Sequence, residues 1–163
     1  MSKTRYGVFS DFERILEMEY NSFGEKEMVD PQGLKKRMNS FPEHTLVLIE
    51  DNYIVSYISY ALSNEFKMDD GLFGQNPNDL KEGDYCLIIG LATDEHYRHR
   101  GYVNELFKFL FETVKDKPIL LTCHDYLVDF YTKIGFKYTN ISSSSFNGDT
   151  WCNMTYNTNI MPK

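Results

Sequence analysis

The chain has 163 residues, which suits one domain with a substantial core. With 42% hydrophobic and 15% aromatic residues it has the composition of a folded globular protein, which argues against disorder. A formal charge of −7 argues against general nucleic-acid binding. The opening residues are basic with no apolar segment after them, and no stretch approaches membrane-spanning length. A cytoplasmic enzyme or binding protein with no membrane partner is therefore expected. Cys86, Cys123 and Cys152 are widely spaced and odd in number, each in an apolar or aromatic strand-like context. They read as buried free thiols, not as a disulfide frame or a zinc site, and no metal is expected.

In chain order, residues 4–9 read as a first strand. Ser10 then starts a helix, with Glu13 three residues on as a capping-box signature, and Phe12, Ile15, Leu16 and residues 19–23 continue it. A short second helix runs from Pro31, whose fixed φ suits a first helical turn, to about Met38. Residues 45–49 and 53–62 alternate and are rich in β-formers, and Asp51-Asn52 between them suits a tight hairpin. Residues 62–83 carry Gly71, Gly74, Pro77 and Gly83 without a sustained period and read as a long loop. Loops of that length in compact domains are often functional. Residues 85–93 form a strand. A helix follows from about Gly101 to Lys115, apolar at Val103, Leu106, Phe107, Leu110, Phe111 and Val114. Residues 118–123 are a short apolar run of the kind covered on both faces. Asp125 caps a helix with Leu127, Phe130, Tyr131 and Ile134 on one face, and Gly135 ends it. Residues 136–141 and 150–156 make a last hairpin around Asn147-Gly148. The order β-α-α-β-β-β-α-β-α-β-β predicts an α/β (α+β) domain, a mixed sheet with helices on both faces.

The most informative stretch is Arg98-His99-Arg100-Gly101-Tyr102-Val103, which follows a strand and opens an amphipathic helix. Free backbone N–H groups, the helix dipole and nearby guanidinium groups favour an anion there. Gly101 lets the backbone approach a ligand without a Cβ in the way. His96, Arg98, His99 and Arg100 make a basic spot on an acidic chain, which points to an anionic ligand at this place.

With these elements in place the chain resembles the GNAT superfamily of acetyl-CoA-dependent N-acetyltransferases. The family's motif R/Q-x-x-G-x-G/A falls on Arg98, Gly101 and Val103, and its Y-x-x-x-G-F falls on Tyr131, Gly135 and Phe136. The two are in the right order, separated by a helix and a strand. A narrower resemblance is to the arylalkylamine N-acetyltransferase-like branch. Its C-E-D-x-L-V-P-F-Y is similar to Cys123-His124-Asp125-Tyr126-Leu127-Val128-Asp129-Phe130-Tyr131, and its final hairpin to residues 146–154. Two departures stand out. Val103 occupies a position where the family prefers Gly or Ala. The two strand-four histidines of the arylalkylamine enzymes are replaced by Leu87 and Ile89, so the base is elsewhere or a water path serves.

The resemblance implies a single acetyltransferase domain over residues 1–163, with a mostly antiparallel central sheet and acetyl-CoA as cosubstrate. It puts the pyrophosphate at Arg98, His99, Arg100, Gly101, Tyr102 and Val103, and the pantetheine arm along Leu91, Ala92 and Thr93, with a backbone N–H near Leu91 polarising the thioester. Tyr131 is implied as the general acid for the departing sulfur; periodicity alone would make it a core aromatic. The catalytic base candidates are Asp84, which also reads as a strand-edge residue, and His124, which also reads as a surface or capping residue. Residues 62–84 carry Glu65, Asp69, Asp70, Asp79, Glu82 and Asp84 against Lys67 and Lys81, a field that would attract a cationic amine or else a solvated loop. Phe23, Phe66, Phe73 and Trp151 are candidates for an aromatic acceptor pocket. The expected acceptor is a small amine, an arylalkylamine or a polyamine. A protein N-terminus or lysine, or a catalytically silent acyl-CoA-binding module, are the alternatives, and a homodimer is left open.

Overall fold

Alternation along the β-rich runs produces β1 (Lys3–Tyr6), β2 (Thr45–Glu50), β3 (Tyr53–Ser63), β4 (Tyr85–Thr93), β5 (Ile119–His124), β6 (Lys137–Ile141) and β7 (Trp151–Tyr156). They form one sheet in the order β1-β2-β3-β4-β5-β7-β6 in a computed structural model that describes residues 2–142 and 150–161. Every neighbouring pair is antiparallel except β4 and β5, which run parallel. The helices are α1 (Phe12–Glu27), α2 (Pro31–Ser40), α3 (Tyr102–Val114) and α4 (Val128–Ile134).

Side chains alternate across the sheet because a strand has a period of two. Leu46 and Leu48 pack with Leu106, Phe107 and Leu110 of α3 on one face. Val47 and Tyr57 pack with Ile15 and Met18 of α1 and with Leu34 and Met38 of α2 on the other. The mixed sheet with helices on both faces is therefore the observed architecture. Asp51 and Asn52 both take left-handed φ (54° and 61°), as a tight hairpin with right-handed strand twist requires. Cys86, Cys123 and Cys152 are buried free thiols.

Four local expectations are corrected. β1 ends at Tyr6, and a 3-10 turn (Phe9–Asp11) precedes α1. The Ser10–Glu13 box does not form, because Asp11 takes over the helix start. Its carboxylate accepts the Val8 N–H at 2.9 Å and two bonds from the Arg5 guanidinium at 2.8 and 3.0 Å, and charge-assisted bonds of this kind outcompete a neutral cap. Asp125 also lies in a 3-10 turn (Asp125–Leu127), so α4 starts at Val128 and has only 7 residues. Phe130 is not on the buried face: it is 42% exposed, whereas Tyr131 is 8% exposed. Adjacent helical residues point about 100° apart, and so short a helix can bury only one of the two. The expected turn at Asn147-Gly148 lies outside the described residues.

The long loop is anchored to α2. Arg37, fully buried, pairs with Asp79 through two bonds (2.9 and 3.3 Å) and donates to the Leu72 carbonyl at 3.0 Å. Gly33 meets Gly74 so closely that a Cβ on Gly33 would stand 1.9 Å from the Gly74 carbonyl oxygen. The Asp30 N–H donates to the Phe73 carbonyl at 2.9 Å.

Candidate active site

The sheet opens where its one parallel pair comes apart. β4 and β5 are in register only at Cys86↔Ile119 and Leu87↔Leu120. From Ile88 onward β4 has no strand beside it on that side among the described residues. The opposite edge of β4 shows why the strand turns there. Ser59 pairs with Gly90 and Tyr60 with Ile88, so Ile89 is an extra residue, a β-bulge, which bends the strand that carries it. A cavity fills the opening, bounded by residues 88–91 of β4 and residues 121–124 of β5. α1 contributes Glu19, Phe23 and Glu27, the long loop contributes Met68, Asp70 and Phe73, and Tyr131 and Trp151 close the remaining side.

Tyr131 stands edge-on to Phe107 and Phe136, with ring centroids 6.2 and 6.1 Å away. These contacts fix the ring, and its hydroxyl has no hydrogen-bond partner among the described residues. Burial pushes the phenol well above its usual range, with Cys123 a secondary cause. The Cys123 thiol in the same wall is pushed up to about 12 by burial. Charge is thus poorly solvated in this cavity, and a thiolate formed here would be a strong base.

His124 ends β5. Its Nε2 lies 3.3 Å from Glu27 Oε2, and its ring packs 4.2 Å from Trp151 and 5.1 Å from Tyr126. Glu27 reaches it because α1 breaks at Gly24 (φ 74°), where the chain turns and carries residues 25–27 over the cavity. Glu19 was not singled out from the sequence, and neither was Glu27. Glu19 is 4% exposed and accepts hydrogen bonds from the Tyr57 hydroxyl and, at 3.4 Å, from the Val29 N–H. Burial pushes its carboxyl above the usual carboxylate range, against those two bonds and the Arg37 charge. Gly90 makes room for it, since a Cβ there would stand 2.6 Å from Glu19 Oε1. A legible signal existed: Glu19 lies four residues after Ile15 and seven after Phe12, on the apolar stripe of its helix.

Asp84 is not brought to this cavity. It is exposed, its N–H donates to Asn64 Oδ1 at 3.2 Å, and it precedes the paired end of β4. The splayed part of β4 begins about 13 Å further along at strand rise. Phe66 is also elsewhere, packed on the Tyr85 ring at 5.1 Å, while Phe23, Phe73 and Trp151 do converge.

Leu91 lines the cavity, Ala92 packs toward α1, and the Thr93 hydroxyl bonds Ser56 Oγ at 2.8 Å. A 3-10 turn (Glu95–Tyr97) leads from β4 to the basic turn. There His99 and Gly101 take left-handed φ (65° and 79°). Arg98 donates to the Thr93 carbonyl at 3.3 Å, and Arg100 donates to the His96 carbonyl at 3.2 Å and stacks over Tyr97. Both guanidinium groups are thus tethered to the turn. Gly101 caps α3, and a Cβ on it would meet nothing within 4 Å, so the helix start faces open space. Tyr102 is buried and donates to Glu50 Oε2 at 3.0 Å. Val103 packs against the core, so its bulk is spent inside the fold.

A splayed parallel pair in an otherwise antiparallel sheet, with a cavity in the gap and an anion-ready helix start at the end of the same strand, defines the class of acyl-CoA-dependent acyltransferases. The family model "Acetyltransferase (GNAT) family" matches residues 9–136, and the chain belongs to that family of enzymes. The fold is similar to the loading GNATL domain of CurA from Lyngbya majuscula (TM-score 0.79, 13% identity, covering 96% of this chain and 97% of that one). It is also similar to the GphF GNAT-like decarboxylase in complex with isobutyryl-CoA (0.77, 15%, 94% and 98%). A third similar structure is NAA60 from Arabidopsis thaliana in complex with a bisubstrate analogue (0.71, 15%, 96% and 97%). No curated protein sequence matches the chain. Among the described residues no cluster of side chains suits a metal ion, and no helix is long and apolar enough to cross a membrane.

Proposed function

We propose that this protein transfers an acetyl group from acetyl-CoA to the primary amine of a small cationic acceptor, an arylalkylamine or a polyamine, in the cytoplasm. The observation that carries the reading is the cavity at the β4/β5 splay, which sets the carboxylates of Glu19, Glu27 and Asp70 among the aromatic walls of Phe23, Phe73 and Trp151, beside Tyr131. Carboxylates attract an ammonium group, and flat apolar walls suit the carbon skeleton that bears it.

The donor fits the rest of the strand. Buried backbone groups demand partners, and the free edge of β4 around Leu91, Ala92 and Thr93 would pair with the amides of the pantetheine arm. A backbone N–H near Leu91 would polarise the thioester carbonyl. The pyrophosphate would lie on the turn of Arg98, His99, Arg100, Gly101, Tyr102 and Val103. The acceptor nitrogen attacks the carbonyl carbon, a C–N bond forms and the C–S bond breaks. Tyr131 then donates its proton to the departing sulfur, whose charge the cavity solvates badly. Of the two bases expected from the sequence, His124 faces this cavity and Asp84 does not.

The test is release of CoA thiol from acetyl-CoA with tryptamine, phenylethylamine, spermidine and peptides bearing a free N-terminus. Turnover with the small amines is expected. Turnover with the peptides alone, or acetyl-CoA binding with no turnover, overturns the reading.

Two further outcomes follow from the same geometry. Gly101→Val puts a β-branched side chain at a left-handed φ and into the open space over the helix start. CoA affinity measured by calorimetry should fall at least tenfold, with strain of only about 1–3 kcal/mol and a folded protein. Unchanged affinity would remove the pyrophosphate from this turn. Salt should raise KM for a cationic acceptor, since screening cuts the reach of the acidic loop to about 8 Å at physiological ionic strength. A flat salt response would count against long-range attraction.

A further inference from the structure

We propose that Glu19 is the catalytic base that takes the proton from the acceptor's ammonium group, an assignment that rests on the acetyltransferase reading above. The argument begins with place. Glu19 projects from α1 onto the bulged segment of β4, where its Oε1 would collide with any side chain at position 90. It therefore sits at the point where β4 turns away from β5, on the wall of the cavity that also holds Tyr131. An amine attacking a thioester in that gap would have this carboxylate on one side and the Tyr131 hydroxyl on another.

The second argument is the cost of keeping it there. A carboxylate that is 4% exposed is unfavourable unless it is well bonded. Among the described residues Glu19 has two hydrogen bonds, from Tyr57 and Val29, and a carboxylate has about four acceptor positions. Glu19 is also among the residues that line the cavity. Its neighbours from every packed element are Tyr57 of β3, Arg37 of α2 and the Val29 N–H. Around the same cavity stand Glu27, Asp70, Cys123, His124 and Tyr131. Arg37 and the two bonds favour the charged carboxylate, while burial raises its proton affinity above that of an ordinary Glu. A base must hold its proton tightly enough to remove one from an ammonium ion, and this environment raises that affinity without exposing the group.

The proton balance closes. The ammonium group loses two protons on becoming an amide. One goes to Glu19 before attack and leaves to solvent through the cavity mouth. The other replaces, by way of water, the proton that Tyr131 gives to sulfur.

The experiment is single-turnover acetyl transfer to tryptamine as a function of pH, with the native protein, Glu19→Gln and His124→Asn. In the native protein the rate should fall with decreasing pH as Glu19 becomes protonated, at a pH above the ordinary carboxylate range. In Glu19→Gln the rate should drop at least 10²-fold, and that limb should give way to one that tracks the free amine. Calorimetry should show acetyl-CoA binding retained. If Gln does not fold, Glu19→Ala leaves space for formate, and added formate should restore the rate. A native rate and limb in Glu19→Gln, or a limb that persists there and vanishes in His124→Asn, overturns the assignment. Native protein that acetylates no amine overturns the parent reading instead.

Discussion

Tyr131→Phe is expected to lower the single-turnover rate of acetyl transfer by roughly 10²-fold or more, the usual size of a general acid's contribution. Acetyl-CoA affinity and melting temperature should stay near native. The substitution keeps the ring and its edge contacts with Phe107 and Phe136, and removes only a hydroxyl that has no hydrogen-bond partner among the described residues. Little stability is at stake in that group. The chemical consequence is large because burial disfavours charge on this wall, as the Cys123 thiol, pushed up to about 12, shows. A thiolate leaving into the same surroundings is destabilised in the same way, and without a donor the C–S bond breaks at a high energy. Burial also holds the Tyr131 proton in place at working pH, so the group is ready as a donor throughout the neutral range. On the proposed mechanism the loss belongs to the chemical step, since the hydroxyl would matter most as charge builds on sulfur. Single-turnover measurement reads that step directly, where slow product release can hide it in steady state. A native rate in the Phe variant would remove Tyr131 from the mechanism.

Asp79→Ala should be the most destabilising of the substitutions considered, by about 3–5 kcal/mol, the cost of leaving a buried cation without its partner. Both side chains of the Arg37–Asp79 pair are almost fully buried, at 0% and 2% exposure. Among the described residues Arg37 has one nitrogen, Nη1, without a partner, so the Leu72 carbonyl is all that remains to it there in the variant. For a chain of this size the melting temperature should fall by about 10 °C or more. The function should change as well, because this pair holds down the loop that supplies Met68, Asp70 and Phe73 to the cavity. KM for the acceptor should rise more than kcat falls. The double variant Arg37→Met with Asp79→Leu should recover much of the stability, since apolar residues replace a buried pair at little cost. A lower melting temperature with an unchanged KM would show that the Asp30–Phe73 bond and the Gly33–Gly74 contact hold the cavity side of the loop by themselves.

What the chain states locally can be read without its fold. Residues 85–93 form a strand with the expected bounds, Asp51-Asn52 makes the hairpin, and Gly135 ends its helix with a left-handed φ of 122°. Each depends on side-chain alternation or on a backbone angle that a few residues set among themselves. The turn from Arg98 to Gly101 is legible for the same reason: its glycine, its basic residues and the helix after it are adjacent in sequence. The tertiary structure decides which charges are enclosed. Glu19 is buried by Tyr57, 38 positions away, and by the missing side chain at Gly90. Glu27 meets His124 across 97 positions, after the break at Gly24 has redirected the chain. Asp84 carries the same functional group, yet it stays in water at the closed end of the strand pair. A carboxylate's chemistry is set by its solvation and its neighbours, and both come from strand register and helix placement, which join residues far apart in sequence.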